Sequence, residues 1–279
     1  MTTIDRLVRL AAPPKSPVDA GEDWAVAEAE LGLELPSDFK ELVRRYGVGN
    51  FCDYLFTHPM RSLIDSNLEL LEANRLDRVE YPSWYRYPLY PEPGGLLLWG
   101  ATSSGDRLCW LTGGHPDSWP VVVWNPRDPE FLPQDVGVVE FIEAGVSGRT
   151  ELFFDEDEED KTAWFEPYRE LAEVYVRLAD GEFTYLDRLR ILREALAPTA
   201  NRGSVETLDG HRQDHFAATE ALWNVTYETM YGHQIRIAFP PDDEDKVRIK
   251  IMAAVESMGC RVLSASRADG APVWVVGTT

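Results

Sequence analysis

The residues predict an α+β fold, and three patterns carry that prediction. Trp24 to Phe51 holds two short amphipathic helices joined by a tight connector. Leu96 to Trp124 holds short apolar runs separated by turn-forming clusters. The last stretch, from Leu222 to Val276, reads as strand–strand–helix–strand–strand. At 279 residues the chain suits one large domain or two modest ones. A hydrophobic fraction of 44% supports packed cores and excludes wholesale disorder.

Taken in order, residues 1–19 read as a short helix followed by a Pro-containing linker. Asp5 and Pro13-Pro14 interrupt what a secretory signal would keep apolar, and no apolar run approaches the length that crosses a bilayer. In the first helix Trp24, Ala27 and Leu31 share a face, and Gly32 is placed to end it. In the second, Phe39, Leu42, Val43 and Tyr46 form a core-facing stripe. Ser37 is the expected N-cap, Asp38 suits the positive end of the helix dipole, and Gly47 supplies the stop.

Tyr81 to Pro91 is too rich in proline for a helix or a central strand and is expected as a loop. Its aromatics, Trp84, Tyr85 and Tyr87 among them, either pack on the domain or form a contact patch. Strands follow at Leu96–Trp99, Leu108–Leu111 and Val121–Trp124, with turns at Thr102–Asp106 and Gly113–Asp117.

Residues 151–163 contain six consecutive carboxylates, Asp155, Glu156, Asp157, Glu158, Glu159 and Asp160. The run lacks the central glycine and spaced ligands of an EF-hand, so an acidic linker is expected. Trp164, Tyr168, Leu171, Val174, Tyr175 and Leu178 predict an amphipathic helix, and Leu186 to Leu196 another, making 164–198 a helical connector. Thr199 to Gly210 reads as a polar break. Residues 211–279 then predict a small β-β-α-β-β sandwich. In it, Ile235, Ile237 and Phe239 line a strand, and Val247, Ile251, Ala254, Val255 and Met258 line a helix closed by Gly259.

Forty-eight acidic residues against 27 basic ones give a net charge of −21. Residues 1–150 hold 23 acidic and 13 basic residues, and 151–200 hold 14 and 6. Such a surface repels nucleic acid, whose binding rests on Lys and Arg displacing counterions, and repels anionic lipid. It attracts a basic protein and raises the encounter rate; solubility alone also favours it. The three cysteines, Cys52, Cys109 and Cys260, are widely spaced, which fits reduced thiols in a cytoplasm better than a disulfide framework.

No catalytic constellation stands out: there is no G-x-S-x-G elbow, no phosphate-binding loop, and no C-x-x-C. His211 and His215 would share a helix face, yet no third metal ligand accompanies them. An activity is left open only for the C-terminal segment, where His211, His215 or His233 would carry it. Neither a metal nor a cofactor is expected.

The order of residues adds a resemblance. Glu28, Leu31-Gly32, Leu35-Pro36, Phe39, Tyr46-Gly47 and Gly49 resemble the opening of the SUKH superfamily, which includes fungal cell-wall-assembly regulators and many bacterial immunity proteins. Asn67-Leu68, the strand Gly94 to Gly100, the turn Gly105-Asp106 with the strand Leu108-Cys109-Trp110, the strand Val121–Trp124 and a closing helix through Val139, Phe141 and Ile142 continue it over about residues 20–150. The resemblance implies helices packed on a mostly antiparallel sheet, with these residues holding up the fold. It also implies action by binding: a cytoplasmic immunity protein occluding a basic, nuclease-type toxin, or else a regulatory or scaffold protein with no toxin. The aromatic loop and the acidic run are then the expected partner-binding elements. The partner's identity, the C-terminal segment's role and the oligomeric state stay open.

Overall fold

The computed structural model describes residues 1–21, 23–128, 130–150 and 162–274, which divide into two units. The first comprises Met1–Glu159 with Phe165–Tyr168, the second Asp160–Trp164 with Arg169–Thr279. The fold is α+β in both.

In the first unit α1 (Thr3–Leu10), α2 (Trp24–Leu31) and α3 (Ser37–Tyr46) precede the short strands β1 (Gly49–Phe51) and β2 (Leu55–Thr57). Then come α4 (Met60–Ala73), α5 (Arg75–Glu80), β3 (Leu96–Thr102), β4 (Arg107–Leu111), β5 (Val121–Asn125), β6 (Glu130–Gln134), α6 (Val138–Val146) and β7 (Phe165–Pro167). The strands form one antiparallel sheet in the order β6-β5-β4-β3-β2-β1-β7. Phe39 of α3 and Phe141 of α6 meet Trp99 and Trp110 on one face, with ring centroids 4.9–6.4 Å apart. On the opposite face Leu70 of α4 packs with Leu96, Leu98, Cys109, Val122 and Trp124. Cover on both faces explains why β3 and β5 read as continuous apolar runs rather than alternating ones.

The residues carrying the family resemblance hold this frame together. Glu28 Oε1 accepts the Leu35 N–H at 2.7 Å and pairs with Lys40, bracing the α2–α3 connector. Gly32 ends α2 in the left-handed region, and buried Leu35 and Pro36 lead into α3. Gly47 has φ +70°, and a Cβ there would sit 2.1 Å from the Val18 carbonyl oxygen. Gly49 lets β7 approach, since its Cβ would meet the Glu166 carbonyl at 2.2 Å. Tyr46 packs tilted against Phe51 and edge-on to Phe165, and donates its hydroxyl to the Ala11 carbonyl at 2.7 Å. Gly105 and Asp106 form the β3–β4 turn, with both backbone N–H groups bonded to Thr102.

One cap differs from expectation. Ser37 lies inside α3, behind Pro36, and makes no N-cap bond with its side chain. Its N–H instead donates to Asp117 Oδ1 at 2.6 Å, while Asp38 Oδ2 accepts the Val139 N–H at the start of α6. Carboxylates from other elements thus satisfy the helix starts.

The second unit contains β8 (Ala172–Ala179), α7 (Tyr185–Leu196), β9 (Thr199–Glu206), β10 (Arg212–Ala218), β11 (Trp223–Glu228), β12 (Gln234–Phe239), α8 (Glu244–Ser257) and β13 (Arg261–Ser266). Its antiparallel sheet runs β13-β8-β12-β11-β10-β9, and the core it shares with α7 and α8 lies on one face. The helix expected over 164–181 is replaced by β7 and β8. Val174, Val176 and Leu178 alternate into the core, and β8 pairs with strands on both sides, which overrides the helical spacing. The polar break expected at Thr199–Gly210 is mostly β9, whose exposed outer half supplies the polar composition. The strand expected at Pro272–Val276 begins with a Ser266–Pro272 bridge; residues 275–279 lie outside the described residues.

Candidate protein-docking surface

The buried side of α4 is a stripe of Leu63, Asn67, Leu70 and Asn74 at helical spacing. Two of its four members are amides, and each has a definite task. β2 ends its pairing with β3 at Thr57–Gly100, so the earlier residues of β3 have no strand beside them there. Asn67 takes that place. Its Oδ1 accepts the Leu98 N–H at 2.7 Å, and its Nδ2 donates to the Leu98 and Leu63 carbonyls at 3.0 and 2.8 Å. The amide acts as one residue of a missing strand and fixes α4 to the sheet. Two residues earlier, Leu96 is bridged by Pro88 and Tyr90 of the loop that precedes β3.

Asn74 ends α4. Its Nδ2 donates to the Leu70 carbonyl and its Oδ1 accepts the Tyr85 hydroxyl at 2.8 Å. Beyond it α5 has no buried residue, and Pro82 starts a 3-10 turn, Pro82–Trp84. This α5–turn ridge is held at its base by the Tyr85–Asn74 bond and by the Arg78–Glu92 ion pair at 2.7 Å. Its outer surface is apolar: Val79 is 80% exposed, Leu76 66%, Trp84 48% and Tyr81 41%. The Tyr81 and Trp84 rings stack at 4.8 Å with planes 22° apart. Apolar side chains of this size are normally buried, so their exposure together makes the ridge a candidate interaction surface.

The ridge is rimmed with negative charge. Residues 65–92 carry six acidic and three basic side chains. Arg75 and Arg78 are paired with Glu72 and Glu92, and Arg86 lies over the Tyr87 ring. The Tyr81 hydroxyl donates to Glu80 Oε1 at 2.8 Å, which holds its phenol above the ordinary tyrosine range.

Of the expected partner-binding residues, Trp84 alone is displayed on this ridge. Tyr85 turns inward against Trp124, and Tyr87 packs edge-on to Phe131, both half-buried. The aromatic loop therefore does both things expected of it, dividing them residue by residue. Asp155, Glu156, Asp157, Glu158, Glu159 and Asp160 lie outside the described residues. Leu76, Val79 and Tyr81 were not singled out in the sequence. The signal for them was present in Arg75–Glu80, whose apolar residues are spaced i, i+3 between Asn74 and Pro82 with nothing to bury them.

The histidines of the second unit are placed differently from the helix-face reading. His215 is on strand β10, its Nδ1 2.8 Å from Thr226 Oγ1, and His211 precedes that strand. His233 Nε2 lies 2.9 Å from the Tyr227 hydroxyl and Nδ1 lies 3.1 Å from Asp180 Oδ1. Burial, and then the Arg188 charge, hold the His233 imidazole below its ordinary pKa. Tyr227 is fully buried, so the His233 contact points into the core of the second unit. Among the described residues no three His, Cys, Asp or Glu side chains are grouped to hold a metal, and no helix is long and apolar enough to cross a membrane. None of the three cysteines is in a disulfide, and burial pushes the Cys109 thiol up to about 12.

Residues 21–142 match the SUKH_6 family model, described as SMI1-KNR4 cell-wall. No curated protein and no solved structure matches the chain. The matched segment contains the helix pair, the sheet from β1 to β6 and the whole α5–turn ridge.

Proposed function

Residues 21–142 belong to the SUKH superfamily, that of SMI1/KNR4-like and immunity proteins, and on that premise we propose that the chain is a non-catalytic protein that binds a basic protein partner. The observation that carries this reading is the ridge of Leu76, Val79, Tyr81 and Trp84, an apolar surface with an acidic rim. Exposed aromatic and aliphatic anchors supply the desolvated centre of an interface, and the carboxylates speed encounter with a cationic partner. In the immunity branch that partner is a nuclease-type toxin domain, and neutralisation is occlusion of its basic, phosphate-binding surface in the cytoplasm. Neither a cofactor, nucleic acid nor a membrane enters this scheme.

The test is titration of the toxin domain encoded in the neighbouring gene. Nuclease activity falls to zero at one equivalent, affinity weakens as salt rises, and Val79→Glu weakens binding without lowering the melting temperature. Salt-independent affinity, or full affinity in Val79→Glu, sinks the ridge reading. A regulatory or scaffold protein without a toxin is the second reading. It is favoured by the second unit, which has a complete core of its own and offers a separate binding module. A neighbourhood with no toxin gene moves the weight there.

A further inference from the structure

We propose that the stacked Tyr81–Trp84 pair is a receiving platform for an arginine side chain of the partner; this rests on the docking reading above. The two rings lie 22° from parallel at 4.8 Å, so each covers one face of the other, and both remain substantially exposed. An exposed aromatic face is electron-rich and attracts a cation, most strongly when that face belongs to Trp.

Among the described residues no Lys or Arg lies over the Tyr81 or Trp84 ring. Elsewhere Arg107 lies 4.5 Å from the Trp124 ring centre, Arg86 5.3 Å from Tyr87 and Arg193 5.6 Å from Phe216. The basic residues nearest the ridge in sequence are engaged with Glu72, Glu92 and the Tyr87 ring.

Carboxylates complete the arrangement. Glu80 accepts the Tyr81 hydroxyl, and Asp77, one turn back on α5, is close enough to act on the Tyr81 phenol. Among the described residues neither carboxylate makes an ion pair. Leu76 and Val79, also on α5, offer apolar surface for a methylene stem. A flat aromatic pair beside carboxylates suits a guanidinium, which is planar, weakly hydrated and able to stack while its edge donates hydrogen bonds. A lysine ammonium is a compact, strongly hydrated charge and gains only the electrostatic part.

The experiment uses the full chain and three synthetic peptides: an Arg-Gly repeat, the same repeat with lysine, and the same with citrulline. Binding is read from the Trp84 indole N–H resonance, assigned with Trp84→Leu. The arginine peptide is expected to move that resonance and to bind about tenfold more tightly than the lysine peptide, with citrulline weaker than both. Trp84→Leu and Tyr81→Leu should abolish the preference for arginine at an unchanged melting temperature, since both side chains are exposed. Glu80→Gln should weaken arginine and lysine binding alike. Equal affinity for arginine and lysine peptides at Trp84, or a preference that survives Trp84→Leu, overturns the platform. The docking reading fails separately: it falls if Val79→Glu binds the basic toxin domain as tightly as the parent does.

Discussion

Replacing Asn67 with leucine keeps the heavy-atom count and branching of a side chain that is only 1% exposed, but removes the amide that stands in for a strand beside β3. Three hydrogen bonds of 2.7–3.0 Å are lost. The Leu63 carbonyl lies within a helix and keeps its own environment. The Leu98 N–H and carbonyl face the gap left by β2, on a residue 7% exposed, and nothing else on that side replaces the amide. Each of the two orphaned buried groups costs about 1–3 kcal/mol, so the substitution should cost about 2–6 kcal/mol. A typical domain has only about 5–15 kcal/mol to lose. At about 2–4 °C per kcal/mol for a unit of this size, the melting temperature of the first unit should fall by about 10 °C. Urea unfolding followed by the fluorescence of the buried tryptophans measures the loss, and Asn67→Ala separates cavity from hydrogen bond. Alanine should lose somewhat more than leucine, with most of the loss shared. A leucine variant within about 1 kcal/mol of the parent would refute the clamp, because shape alone would then hold α4.

Gly47→Ala should destabilise by about 3 kcal/mol or more, since φ +70° with ψ −151° is strained for any Cβ and the Val18 carbonyl blocks the space. Gly32→Ala, left-handed but in open space, should cost about 1 kcal/mol, and equal losses at the two sites would contradict the close approach. Glu143 is buried, which alone would raise its pKa, but Arg149 and Arg6 outweigh burial and the net shift is downward. A lowered carboxylate stabilises above its unfolded pKa and loses that contribution as pH falls through the folded value. The stability gap between the parent and Glu143→Gln should therefore be about 1–3 kcal/mol at neutral pH and close on acidification; a gap independent of pH would refute the pairing. In the second unit the Tyr185 hydroxyl lies 2.6 Å from Asp214 Oδ2 and 2.8 Å from the Tyr227 carbonyl. Tyr185→Phe should cost about 1.5–3 kcal/mol in urea unfolding, with no change in partner binding.

Legibility from the residues varied with the range of the forces involved. The helix pair at Trp24–Tyr46, the strands from Leu96 to Trp124 and α8 were readable because spacing, caps and turn residues are local signals. Asn67 was noticed through family resemblance alone, since its value lies in filling the gap beside β3, at Leu98, 31 residues away. The stretch around Val174 carried helical and strand periodicities together. Pairing with β12 and β13, both distant in sequence, settled it as β8. β9 was missed for a related reason: an edge strand with one exposed half has the composition of a loop until a partner is seen beside it. On the candidate site, aromatic content drew attention to Trp84, Tyr85 and Tyr87 equally. Only Trp84 stays out, because Tyr85 finds Asn74 and Trp124, and Tyr87 finds Phe131.

Composition and residue order were enough for the α+β class, the strongly acidic character and the family of residues 21–142, because these depend on charge, periodicity and short motifs. The three-dimensional arrangement alone decided which apolar residues were left over. Leu76, Val79, Tyr81 and Trp84 have the composition of a core, but they lie beyond the end of α4 at Asn74, on α5 and its following turn, where the packing leaves them exposed. Exposure belongs to the whole packing, and no local pattern encodes it.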